Sequence, residues 1–466
     1  MKISINNFKT IGSLADYEMQ PLTILSGTNS SGKSSFIQLF LLLKQTLDID
    51  STQRPLYLDG KLFNIRNYLN LLKNKNKDNK LKVEFVFNKS ELDKYCDFAE
   101  LSIYRTFDSY DLHIGIEFDT IDKQIIVNSF TVKIENSLKS AEITCENDGT
   151  SYNIKTNVSV FNSERLLYGN EYSIKKINYS AFIPSDYEIE FSDGTKFKDV
   201  FKLDGVKAIL KDFFANLNYV GPLRQAPKDE YSAYGKTNSV GTEGENVAEV
   251  FWQLSKNTIT FFKIEERDEV TSFVKSEDTF LNAVKYWLCT RFKLCTDIYS
   301  KEEADNKYVI YVKSLTGVES TIKQVGFGIS QVLPIIVEGL RIEFNETLVI
   351  EQPEIHLHPK VQSDLTDFLI SLIKQDKKVI LETHSDHIIT RLRRRIAEDQ
   401  TNQLDNKTLL TFVEVGDKDV LFKNISINDF GVIELPYPDD FIERADVELK
   451  AILKAQMKKR LNKEKK

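Results

Sequence analysis

The chain of 466 residues carries 62 basic and 69 acidic side chains, and its net charge of −7 argues against a molecule that clamps nucleic acid by charge over its whole surface. The length allows two to three structural units, and the longest apolar run, LFLLL at 39–43, falls far short of the roughly 20 residues that cross a bilayer. The opening MKISINNFKT has neither an apolar signal core nor a cleavage site, so a cytoplasmic protein with no membrane partner is expected.

In chain order, ISINNF and LTIL alternate as strands and lead into an apolar helix over 34–47. Between strand and helix lies GTNSSGKSS at 27–35, a complete G-x-x-x-x-G-K-[ST] loop. In such a loop Gly27, Asn29, Ser30, Ser31, Gly32, Lys33, Ser34 and Ser35 cradle phosphates with backbone amides. Lys33 spans the β- and γ-phosphates, and the Ser34 hydroxyl ligates Mg²⁺.

From about 75 to 215 the texture changes to short alternating runs joined by polar turns: LKVEFVF, LHIGIEF, IIVNSFTVKI and AEITC. This predicts a mainly antiparallel β region over 73–215, inserted between two pieces of a head at 1–72 and 216–440. NYVGPLRQAP and SVGTEGEN are loops, and Arg224 in the first is either a phosphate or interface cation or a surface arginine. Residues 246–295 are helix-patterned. The last third alternates strand (TLVIE), helix, strand (KKVILETH) and helix, the order of a parallel α/β sheet. A locally basic, helical tail is expected over 441–466.

Three further stretches carry chemistry. TLVIE ends in Glu351, an oxygen ligand suited to Mg²⁺. The next residue is Gln352, an amide that cannot take a proton where a general base is often found; Glu354, two residues on, could act through a water. His384 ends the second strand, where it can meet a γ-phosphate or the attacking water. VGFGISQVLPII at 325–336 is a second amide-rich helix start, with Gly326, Gly328 and Ser330, suited to a nucleotide held by another copy of the chain. His356 and His358 read as turn or interface residues rather than zinc ligands, and Arg391 with Arg393, Arg394 and Arg395 as solvated or salt-bridged. Cys96, Cys145, Cys289 and Cys295 have no CxxC pairing, lie in unrelated contexts and read as structural thiols.

Phosphate loop, long insertion, glycine-rich signature, metal strand and a strand ending in Thr-His-Ser, in that order, resemble ABC-type ATPase heads. The wording of the motifs is most similar to the prokaryotic AAA-type branch near the overcoming-lysogenization-defect (OLD) and RecF-like ATPases. The resemblance implies an α/β fold: an ABC-ATPase-like P-loop head with an inserted antiparallel β region and a helical segment. It also implies ATP, Mg²⁺ and a head-to-head homodimer, or a higher even oligomer, with nucleotide sandwiched between loop and signature. A sensor or regulatory subunit of a prokaryotic antiviral defence system, acting with a separately encoded nuclease, is the activity it suggests. A RecF-like DNA-repair ATPase and a nucleotide-locked scaffold are the alternatives; DNA is not indicated by charge. Gly326 stands where such signatures usually offer a serine, Gln352 replaces the usual carboxylate, and no Toprim nuclease follows His384 within the chain.

Overall fold

The computed structural model describes residues 1–434 except 53, 93–109, 137–139, 149–150, 158–171, 202, 233–236, 268–269 and 402; Cys96 and the expected tail at 441–466 lie outside the described residues. The chain opens with the hairpin β1 (Lys2–Phe8) and β2 (Ile11–Glu18), followed by the fully buried strand β3 (Leu22–Gly27) and helix α1 (Lys33–Ile49). Strand β4 (Leu81–Asn88) leads through the single turn α2 (Lys89–Leu92) to β5 (Asp111–Ile121), β6 (Gln124–Glu135), β7 (Ser140–Asn147) and β8 (Tyr152–Thr156). The run is completed by β9 (Tyr172–Ser180), β10 (Ile183–Phe191), β11 (Lys196–Val200) and helix α3 (Asp204–Ala215).

Strands β4 to β11 do form the expected antiparallel array, yet it continues into the opening hairpin. Ile3 pairs with Phe85 and Ile5 with Val83, so β1 and β2 complete a ten-stranded sheet. The boundary expected at residue 73 therefore crosses one sheet and one core, in which Ile3, Ile5, Phe36, Phe85 and Phe130 are all buried. The alternation of buried and exposed residues along β4 shows why: only one face of this sheet is covered. Phe40 of α1 meets Phe213 and Phe214 of α3, which closes that face.

The second sheet is parallel at its centre. Its order is β12 (Leu217–Val220), β19 (Thr347–Glu351), β20 (Lys378–Glu382), β3, β21 (Thr408–Val415) and β22 (Val420–Ile425), with only β22 antiparallel. Its middle strands are buried along their length, as strands covered on both faces must be. They pack against α6 (Phe327–Arg341), α7 (Pro359–Ile373) and α8 (Asp386–Glu398), giving the α/β P-loop head that the motif order implies.

The helical reading of 246–295 is corrected. Helix occurs at α4 (Val247–Leu254) and at α5 (Phe280–Lys285), which runs on as π-helix through Tyr286–Arg291. Between them, β14 (Thr258–Arg267) and β15 (Val270–Thr279) form a hairpin. Thr, Ile, Phe and Val crowd TITFF and VTSFV, and such β-branched and aromatic residues favour the pleated backbone once one face is covered. Here α7 covers it, and Phe261 is fully buried. A smaller sheet of β13 (Tyr231–Ser232), β16 (Asp297–Ala304), β17 (Lys307–Lys313) and β18 (Glu319–Thr321) precedes α6.

The cysteine reading also changes. Cys289, in the π-helical turn, and Cys295 place their sulfurs 2.9 Å apart, so these two share one context; Cys145 is buried in the large sheet's core.

Candidate functional site

Strands β19, β20 and β3 end side by side, with Glu351 level with Glu382 and Glu382 level with Leu25. The carboxyl edge of a parallel sheet is where such folds place ligands, because strand ends there open into loops and helix N-termini. The phosphate loop, the strand ending in Glu351 and the strand leading to His384 converge on this edge.

The phosphate loop leaves β3 through Gly27 (φ 139°) and enters α1 through Gly32 (φ 105°), with Ser30 also left-handed at φ 60°. A Cβ at Gly27 would lie 2.0 Å from the Val413 carbonyl oxygen, so only glycine fits. Thr28, Asn29 and Ser30 form the exposed tip, whereas Ser31 is buried. Lys33 is also buried, and its ammonium donates to the carbonyls of Gly27 (3.1 Å) and Thr28 (2.7 Å). Burial lowers its pKa against the opposing pull of Glu382 and Glu354. Ser35 turns away from the loop and accepts a hydrogen bond from the Thr10 hydroxyl at 3.0 Å.

Opposite the loop stand three carboxyl groups. Glu351 is buried and accepts from the Tyr219 hydroxyl at 2.8 Å; burial and then Glu382 push its pKa up to about 7. Glu382, 2% exposed, accepts the Ser34 hydroxyl at 3.0 Å through Oε1, while its buried Oε2 has no partner. Glu354 accepts the His384 backbone N–H at 2.6 Å, and burial raises its pKa. His384 stands at the rim; partial desolvation and then the Lys33 cation hold its imidazole below the usual range, so it is neutral at pH 7.

Gln352 has a left-handed backbone, φ 45°, a conformation that costs energy in any residue with a Cβ. Two bonds hold it there. Its N–H donates to the Glu382 carbonyl at 2.8 Å, and the Arg224 guanidinium donates to the Glu351 carbonyl at 3.0 Å. Arg224 is buried, which excludes the surface reading, and its Nε and Nη1 have no partner.

The glycine-rich turn before α6 is exposed. A side chain at Gly326 would meet nothing within 4 Å, and Phe327 is 58% exposed beside the His356 ring. Ser330, by contrast, is buried and donates to the Phe327 carbonyl at 2.8 Å, so the turn presents backbone amides rather than this hydroxyl. His358 caps α7, accepting from the Lys360 N–H at 3.3 Å, and no three-residue His, Cys, Asp or Glu metal cluster occurs among the described residues. Gln362 ties the 353–358 turn to the histidine turn by donating to the Leu357 carbonyl (2.9 Å) and accepting the Ser385 hydroxyl (2.6 Å).

Glu382 and Tyr219 are not among the predicted site residues and take their places through sheet order rather than through a motif, while Arg224, open between a phosphate or interface cation and a surface arginine, is placed beneath the Glu351 carbonyl. The donor set fits a magnesium nucleotide: a glycine loop with a buried lysine for phosphates, and a serine hydroxyl beside an unpartnered buried carboxylate oxygen for a hard cation.

A family model described as an AAA ATPase domain matches residues 1–389. No curated protein matches the sequence. Among solved structures, the chain is similar to the SMC head domain from Thermotoga maritima, with 10% identity, 91% of this chain and 97% of that chain covered, and a TM-score of 0.39. It is also similar to the SmcHead bound to the C-winged helix domain of ScpA (11%, 91% and 97%, TM-score 0.44). A third similarity is to the Smc head domain with an extended coiled coil bound to the C-terminal domain of ScpA derived from Pyrococcus furiosus (12%, 91% and 96%, TM-score 0.44).

Proposed function

Since the chain belongs to the family of AAA ATPase domains, we propose that it is a slow, Mg²⁺-dependent ATPase whose output is a nucleotide-held dimer. The observation that carries this reading is the convergence of Lys33, Ser34, Glu351, Glu354 and Gln352 at one sheet edge, with an amide in the place of the base. The amides of 28–35 and the Lys33 ammonium bind the phosphates, and Ser34 with Glu351 holds the cation. Bound Mg²⁺ supplies charge neutralisation to the phosphates during transfer. Gln352 orients the attacking water through its amide but leaves the proton on it. Glu354, whose raised pKa keeps its carboxylate basic, takes the proton slowly, and neutral His384 accepts a hydrogen bond from the same water.

The exposed, uncrowded turn at 326–328 supports dimerisation: its amides open a helix N-terminus that suits the nucleotide of a second copy. The reading as the sensor subunit of an antiviral defence system, with a separate nuclease as effector, rests on the resemblance of the motifs to OLD-like ATPases. Affinity purification of the tagged protein identifies that partner.

Sedimentation with and without ATP tests the dimer. Wild type is expected to associate on ATP and Gly328→Asp to remain monomeric while still binding ATP. Space is available there, with the nearest atom of a new Cβ, the His356 oxygen, at 3.7 Å. ATP-dependent association of Gly328→Asp would refute the sandwich.

A further inference from the structure

We propose that Glu382 is a metal-positioning residue, forming with Ser34 and Glu351 the oxygen cage that orders the divalent cation of the bound nucleotide. The inference rests on the nucleotide reading above and extends it to a side chain that the motifs do not single out.

Sheet order comes first. Strand β20 lies between β19 and β3, so Glu382 is adjacent to the phosphate-loop strand, whereas Glu351 is one strand further away. Of the two strand-ending acids, Glu382 is the one in direct contact with the loop. That contact is the 3.0 Å bond from Ser34, the hydroxyl that this loop type presents to a cation.

Bonding is the second argument. Glu351 already has the Tyr219 hydroxyl on Oε1, while Glu382 keeps Oε2 buried and unpartnered. A buried carboxylate oxygen without a protein partner costs stability unless the site supplies one. Lys33 pulls on Glu382 electrostatically but makes no direct ion pair with it, the ammonium being bonded to Gly27, Thr28 and Ser31 of its own loop. Two buried carboxyl groups, Glu351 and Glu382, thus end neighbouring strands beside the half-buried Glu354, and a divalent cation held by hard oxygens is the ligand that neutralises them.

A purely structural glutamate could tether Ser34 in the same geometry. Glu382→Gln separates the two roles, since the amide oxygen still accepts the Ser34 hydroxyl but brings no negative charge. The full-length protein is loaded with ADP, and Mn²⁺ binding is followed by electron paramagnetic resonance; ADP binding is measured separately in EDTA. Glu382→Gln is expected to weaken Mn²⁺ by about ten-fold or more, as loss of a group that orients a metal ligand does, with ADP affinity in EDTA unchanged. Combining it with Ser34→Ala should weaken Mn²⁺ by less than the product of the two single losses, because the pair acts as a unit. Glu382→Asp, which keeps the charge but withdraws it by one methylene, should also weaken Mn²⁺ and serves if the amide variant does not fold. Wild-type Mn²⁺ affinity in either variant would overturn the proposal and leave Glu382 a tether. If Lys33→Ala binds ADP in EDTA as wild type does, the nucleotide reading falls and this proposal with it.

Discussion

Glu351→Gln tests the electrostatics of the site without nucleotide. Burial first, and then the neighbouring Glu382, raise the Glu351 pKa from 4.5 to about 7, while Tyr219 and Lys9 pull the other way. The folded protein therefore binds a proton that the unfolded chain releases between those values. Stability from this group is fully present below pH 4.5, is lost as pH rises through 7, and is level above that. A shift of this size corresponds to about 3 kcal/mol. The amide cannot ionise, and its oxygen keeps the Tyr219 bond. Nucleotide-free, metal-free Glu351→Gln should therefore match wild type near pH 4.5 and exceed its stability by about 3 kcal/mol at pH 8. Urea unfolding at a series of pH values, with the slope m checked for constancy, measures the difference. Glu354 and Glu382 are raised in the same direction, so the variant keeps a shallower decline of its own. An unchanged pH slope in Glu351→Gln would refute the assignment of a buried, proton-holding acid. For the same reason, Mg²⁺ affinity of the loaded wild type should rise with pH through about 7, as the competing proton leaves.

Gln352→Glu places a carboxylate at the position of the base and should raise steady-state phosphate release, a gain of up to 10²–10⁴ being typical of a positioned base. Glu354→Gln should abolish what turnover wild type has; brisk wild-type turnover with no gain in Gln352→Glu would assign the base to Glu354 alone. Asp367→Asn should cost up to about 3 kcal/mol by thermal unfolding, because the fully buried carboxylate receives Arg291, Arg391 and Arg395, which would keep only Asp364, Glu266 and Glu398 as charged partners. An Asp367→Asn variant as stable as wild type would show that this cluster is solvated.

How far each feature was legible depends on where its partners lie. The phosphate loop is read from nine consecutive residues at 27–35, because its glycines, lysine and serine act on one ligand from one turn. The strands of 73–215 are read from alternation, but their pairing with β1 is set by tertiary contacts that alternation does not encode. The arginines after His384 show both limits within one helix. Arg391 and Arg395 are four apart and share the buried face, whereas Arg394 points outward to Glu398, a division that helical periodicity contains. Their common partner, Asp367, lies on another helix and could not be read from spacing. Arg224 sits in a loop without periodicity, and only the fold shows it beneath the metal strand. Glu382 is a different case, because its signal was present. An acid closing an apolar strand is informative, since burying a carboxylate without a charged partner is costly. TLVIE and KVILE both close in this way, and the rule that marks Glu351 marks Glu382 equally. The motif Glu-Thr-His-Ser singles out His384, two residues on, whereas the physical cost of a buried acid points to the strand end itself.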